Sequence, residues 1–492
     1  MVLNRIKLMP KMRLLFAVAM VFLSLETVSA KGRNPPGVVL QPSFIEESES
    51  FLFRSVEDDH GGFYALWTHE AAPGFFRLTA QHVSDQGAAL WGRAGKVIAP
   101  HLTPAESWDV FPDGQGGFTA TWIQDGVTRA QRYAPDGKTQ WPDHATVTAS
   151  TFSCIAPTGV SDALGGAYLV WSEKDYPDRS VLVAQHMNPQ GKVDWDLSGI
   201  RVSLRPSEQR HPRAVFDGQA GVIVSWKDFR ESSSQVQVQR LDFGGNRLWG
   251  DQGVVVTAPV GQPHEAPILV PMGAGQAVAA WVAQQSAKNR LFLQSIEASG
   301  AFRWATQGIN ITYGEWDQWN PVLYGDGHGS IWTGWEDFRD GIHWQVYIGN
   351  LNSDAHIVWP GGEVALAPYT ADQGQLAIVD DGRKGVFGVW VDNRLGHPGL
   401  YAQEIDDQGH LLMGAQGSSI ANNLVNPGVP KIVNLAPGRA AVFWVDQQKK
   451  NRWALYWTPL EGPSSQPPSK PYKSGIDPDP LATPPEGGSI HY

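Results

Sequence analysis

The chain has 492 residues, of which 42% are hydrophobic and 18% charged, with a formal net charge of -11, 21 tryptophans and a single cysteine. That length exceeds one ordinary core, so several domains or a repeat architecture is expected. The acidic balance argues against nucleic acid as a partner, and a lone Cys154 rules out an intramolecular disulfide, a paired-cysteine zinc site and a Cys-x-x-Cys-His haem site.

At the N-terminus, Arg5, Lys7, Lys11 and Arg13 precede an apolar run from Leu14 to Leu25 and the small-residue segment Val28-Ser29-Ala30. This is the layout of a signal peptide over residues 1–30. The run is too short to span a hydrocarbon core of about 30 Å, so no integral membrane segment is expected after cleavage. Cleavage takes the net charge from -11 to -14 and implies an exported protein, periplasmic or extracellular.

From residue 34 to residue 460 the chain repeats. Eight tryptophans close short apolar runs: Trp67, Trp122, Trp171, Trp226, Trp281, Trp335, Trp390 and Trp444, spaced 49 to 55 residues apart. A second tryptophan follows at Trp91, Trp141, Trp195, Trp249, Trp304 and Trp359, with Met413 in its place in the seventh unit.

Each unit reads as four strands. The first leads into a turn such as Asp113-Gly114-Gln115-Gly116-Gly117, where glycine supplies the positive φ of a tight hairpin. The second is the run into the marker tryptophan, for example Val222 to Trp226, apolar on both faces and therefore covered on both. The third alternates, as in Gln235 to Arg240, and the fourth carries Leu-Trp-Gly and ends in Gly-Val-Val. Four antiparallel strands at fixed spacing, with no helical pattern, predict an all-β, eight-bladed β-propeller.

The eighth unit lacks its fourth strand, and Gly37-Val38-Val39-Leu40 at the other end matches Gly253-Val254-Val255-Val256. The N-terminal strand is thus expected to complete the last blade and close the ring. Residues 461–492, rich in proline, read as a flexible, extended tail.

The units resemble a repeat of exported bacterial β-propeller proteins, with Asp-Gly-x-Gly-Gly, four residues, Trp-x-Asp-x-Arg, then Gln, Gly, Leu-Trp and Gly-Val. It is fullest in Trp226-Lys227-Asp228-Phe229-Arg230, Trp335-Glu336-Asp337-Phe338-Arg339 and Trp390-Val391-Asp392-Asn393-Arg394. Such proteins are mostly uncharacterised, so the resemblance implies a fold and no activity. Ser84-Asp85-Gln86-Gly87 ahead of Trp91 is similar to a sialidase turn, and Asp136 to Trp141 to quinoprotein blades, but both features are structural in those families.

No linear catalytic motif is present: neither His69-Glu70 nor His264-Glu265 continues into a zinc-binding helix motif, and no serine elbow, phosphate loop or calcium loop occurs. No catalytic residue, metal or cofactor is predicted. Candidate ligand-binding residues fall on the loop face. Asp228, Arg230, Asp337, Arg339, Asp392 and Arg394 follow the second strands and either brace loops pairwise or ring the channel with charge. Glu315, Trp316, Asp317, Trp319 and Asn320 lie in an irregular crossing between blades five and six, where aromatic faces beside acids and amides suit a sugar or peptide. Trp108, Asp109, Trp332, His343 and Trp344 are further candidates.

The leading expectation is an exported non-catalytic binding or scaffold protein whose partner is a glycan, a peptide or an envelope protein. One alternative is a glycan-processing hydrolase, sialidase-like or other, drawing two carboxylates from Glu315, Asp317, Asp337 and Asp392. Another is a structural envelope protein.

Overall fold

The computed structural model describes residues 38–39 and 53–463, apart from short internal stretches of which 257–266 is the longest. The expected signal peptide and the tail beyond residue 463 lie outside the described residues. The structure is all-β: eight four-stranded antiparallel sheets, the blades of a propeller. Blade four, for example, runs Glu208–Phe216, Val222–Arg230, Ser233–Leu241 and Val254–Val255.

The repeated residues explain the repeated blade. The turn aspartate folds back on its own hairpin: Asp113 Oδ1 accepts from the backbone N–H groups of Gln115 and Gly117, both at 2.8 Å, and Oδ2 accepts from Arg132 Nε on the third strand, also at 2.8 Å. His82 supplies that third-strand partner to Asp58, His186 to Asp162 and Arg240 to Asp217. A Cβ on Gly117 would collide with the Tyr133 carbonyl and lie 2.9 Å from the Asp113 carboxylate, so the last glycine of the motif is sterically required. The third-strand glutamine fastens the fourth strand, as when Gln239 Oε1 accepts from Trp249 N at 3.0 Å and its amide donates to Gly250 O at 2.6 Å.

Second tryptophans tie five of the blades to the next. Trp249 Nε1 donates to Ala298 O at 3.0 Å, and Trp91, Trp195, Trp304 and Trp359 make the same bond one blade further on. Second strands are apolar on both faces because neighbouring blades cover both; Val222, Val224 and Trp226 of blade four pack on Tyr168 and Val170 of blade three.

The ring closes where expected. Val38–Val39 pairs with Arg452–Glu461 of the last blade, Val38 opposite Trp457 and Val39 opposite Tyr456. Blades eight and one then pack through Phe63, whose ring lies 4.6 Å from Phe443 and 5.2 Å from Trp457. The eight first strands, one per blade, touch their neighbours in an unbroken cycle and so enclose the central channel.

Candidate functional site

The conspicuous loop-face charges are structural anchors. A carboxylate two residues after the marker tryptophan lies on the same face of the strand and accepts from its indole: Trp226 to Asp228, Trp335 to Asp337 and Trp390 to Asp392, each at 3.1 Å. Asp228 also accepts from Ser207 Oγ at 2.7 Å, and the side chain of Arg230 lies outside the described residues. Arg339 grips Asp337 at 2.9 Å and Glu363 at 2.9 Å while stacking 3.7 Å over Tyr347, and Arg394 pairs with Asp392 over Tyr401. All three aspartates are buried.

In the crossing between blades five and six, Glu315 lies outside the described residues. Asp317 is held by Lys288 at 3.0 Å and by the Asn289 N–H at 2.9 Å, which staples the crossing to blade five. Trp316 is exposed, Trp319 is half-buried, and Asn320 has a φ of 49°. Of the further candidates, Trp332 packs at a tilt against Trp359 inside the core, with ring centroids 5.6 Å apart, while His343 pairs with Asp340 at 3.1 Å. Trp344 packs on Phe338. Thus three of the four carboxylates nominated for hydrolysis are engaged with cations, and the fourth is not described.

The uncommitted chemistry lies in the channel, on the first strands. Strand register sorts its lining into tiers. The upper tier, nearer the crossings, consists of the residues paired with the position just before each marker tryptophan. In blade order these are Arg54, Asp109, Thr158, Arg213, Ile268, Val322, Ala377 and Lys431. Arg54 lies 3.3 Å from Asp109 and 5.3 Å over the Trp108 ring, and Thr158 Oγ1 donates to Asp109 at 2.7 Å.

Arg213 and Lys431 reach solvent, yet desolvation by the surrounding wall pushes the pKa of each below its ordinary value; Asp109 partly offsets this at Arg213, Arg54 adds repulsion to both, and Arg213 adds to it at Lys431. Bulges with positive φ at Ala156, His211, Asn320 and Gln375 stand just above this tier, two residues before Thr158, Arg213, Val322 and Ala377. Such strain collects at working sites. Burial and the neighbouring Lys227, Arg213 and Arg210 lower the pKa of His211, which favours its neutral imidazole.

The lower tier lies three residues further on, beside the Asp-Gly turns. It contains Glu57 of blade one, Asp380 of blade seven and Asn434 of blade eight. Asp380 accepts from Tyr324 Oη at 2.6 Å and from Asn434 Nδ2 at 3.1 Å. The Glu57 carboxyl has no hydrogen-bond partner among the described residues; burial, then Asp59, Asp380 and Asp58, push its pKa up to about 7. These two acids were missed in the sequence. Their signal was an acidic residue directly before the turn aspartate, as Glu57-Asp58 and Asp380-Asp381, where blade two has Pro112 and blade four Phe216.

Among the described residues no group of three His, Cys, Asp or Glu side chains could hold a metal ion, and no helix is long and apolar enough to cross a membrane.

No family model and no curated protein matches this chain. Solved structures do. An ulvan lyase of a polysaccharide lyase family is 11% identical over 70% of this chain and 90% of its own, with a TM-score of 0.43. The endo-arabinase of Bacteroides thetaiotaomicron is 16% identical over 53% and 96%, with a TM-score of 0.31. A protein of unknown function from Dyadobacter fermentans is 12% identical over 64% and 96%, with a TM-score of 0.38.

The expectation of a non-catalytic binding or scaffold protein is corrected at this point, because the similar structures with a stated activity are glycan-processing enzymes. Likenesses this remote transfer no active site. The missing linear motif, on which that expectation rested, reflects how a propeller assembles a channel, one residue from each of several distant strands.

Proposed function

We propose that this protein is a glycan-processing hydrolase whose active site is the central channel, with Glu57 as proton donor and Asp380 as the ionised carboxylate. The observation that carries this reading is the lower tier itself: two acids at one level of the ring, in environments that push their roles apart. Glu57 has no hydrogen bond among the described residues and keeps its proton to about pH 7. Asp380 is oriented by the Tyr324 hydroxyl and the Asn434 amide, both of which donate to its carboxylate oxygens. A pair of carboxyls in contrasting environments is the equipment of glycoside hydrolysis.

Glu57 gives its proton to the glycosidic oxygen as the anomeric C–O bond breaks. Asp380 takes a proton from the water whose oxygen forms the new bond to the anomeric carbon. Blade eight stands between the blades carrying the two acids. The test is release of reducing ends from a panel of plant and algal polysaccharides by the wild type, Glu57→Gln and Asp380→Asn. We expect each substitution to lower the rate by at least about a hundredfold. An inert wild type, or a Glu57→Gln variant at full rate, rejects the assignment.

A further inference from the structure

The upper tier is lopsided. From blade eight through blade four it presents Lys431, Arg54, Asp109, Thr158 and Arg213, and from blade five through blade seven it presents Ile268, Val322 and Ala377. Among the described residues, Arg54 pairs with Asp109, which Thr158 also binds, and Asp109 attracts Arg213 at longer range. Among the described residues, the Arg213 side chain hydrogen-bonds to the carbonyl of its neighbour Pro212 alone, at 3.2 Å, and Lys431 has no acidic hydrogen-bond or ion-pair partner. The chain carries 49 acidic against 38 basic residues, so counter-charges were plentiful, yet like charges face each other within the channel.

Clustering cations in a partly desolvated space destabilises the empty protein and is recovered when an anion enters. Guanidinium groups suit an oxyanion because their parallel N–H donors match two of its oxygens. The apolar arc opposite suits the C–H face of a sugar ring.

We infer that the upper tier is a subsite for an acidic sugar, with Arg213, Lys431 and Arg54 binding a carboxylate or sulfate and Ile268, Val322 and Ala377 receiving the ring. This rests on the channel being a glycan site. Three residues of strand separate this tier from Glu57 and Asp380, about 10 Å. The anchored sugar is therefore not the one whose bond is cleaved but lies at least one residue along the chain, and the enzyme acts within an anionic polysaccharide.

The experiment is calorimetric titration of the full chain with tetragalacturonate, a sulfated galacto-oligosaccharide, neutral arabinotetraose and sodium sulfate, at low and high salt. We expect one charged oligosaccharide to bind at least tenfold more tightly than arabinotetraose, with added salt weakening it; which one identifies the oxyanion. Arg213→Gln and Lys431→Gln should each lose at least tenfold, and Lys431→Gln should melt no lower than the wild type, since it removes repulsion from Arg54 and Arg213. Equal affinity for the neutral sugar, unchanged affinity in both variants, or sodium sulfate binding as tightly as the oligosaccharides overturns the subsite. Reducing-end release by the wild type on the same oligosaccharides separates the two readings: tight binding by a wild type that cleaves none of them rejects the hydrolase and keeps the subsite, while Glu57→Gln, titrated alongside, should bind as the wild type does without turnover.

Discussion

Replacing Glu57 with glutamine should alter how stability responds to pH, independently of any substrate. The folded protein holds this carboxyl's proton more tightly than the unfolded chain, with a pKa of about 7 against 4.5. Its contribution is therefore complete below pH 4.5 and is lost as pH rises through 7. The full shift corresponds to about 3 kcal/mol, and partial solvent access reduces it to about 2 kcal/mol. Unfolding entropy for roughly 410 residues is about 0.9 kcal/mol per kelvin, so the difference in melting temperature should be about 2 °C. Scanning calorimetry of wild type and Glu57→Gln between pH 4 and pH 8.5 would follow it. The variant should gain on the wild type steadily between pH 5 and pH 8. Asp381 and Asp446, whose pKa values burial also raises, are common to both proteins and cancel. Parallel pH profiles would refute the placement of Glu57 in an acid-repelling pocket.

Other outcomes follow from the same geometry. If Glu57 is the proton donor, kcat/KM should fall tenfold per pH unit above about pH 7, measurable by reducing-end release. Arg339→Ala strips Asp337 and Glu363 of their shared cation, so it should cost about 3 kcal/mol in chemical denaturation. Gly300→Ala combines a φ of 87° with a Cβ 2.7 Å from Trp249, whereas Gly250→Ala at φ 76° meets nothing within 4 Å. The second should lose about 1 kcal/mol to backbone strain and the first clearly more. Deleting residues 34–43 exposes the edge of Arg452–Glu461, and light scattering should then find oligomers.

The fold was legible because it is written redundantly. Marker tryptophans recur in all eight units, turn aspartates and third-strand glutamines in six each, and the match of Gly37 to Leu40 with Gly253 to Val256 located the seam. The site was legible only in part, for the opposite reason. Asp228, Asp337 and Asp392 attracted attention by recurring, yet an acid two places after a buried indole is poised to accept its N–H, and recurrence was the mark of a structural role. Arg213 and Lys431 each occur once, in strands that differ from blade to blade. Their common level emerges only when every unit is aligned on its tryptophan and the bulges of blades three, four, six and seven are counted. Asp109 alone was among the residues singled out beforehand.

The upper tier takes one residue from each blade at a position that neither the Asp-Gly turn nor the tryptophan latch uses. It resembles a lock with eight independent pins. Exchanging Lys431 or Arg213, which reach solvent, for another residue leaves every repeated fastening in place, so recognition can drift by single substitutions while the scaffold stays constant. Duplicated blades thereby become a means of generating new specificities from an unchanged ring.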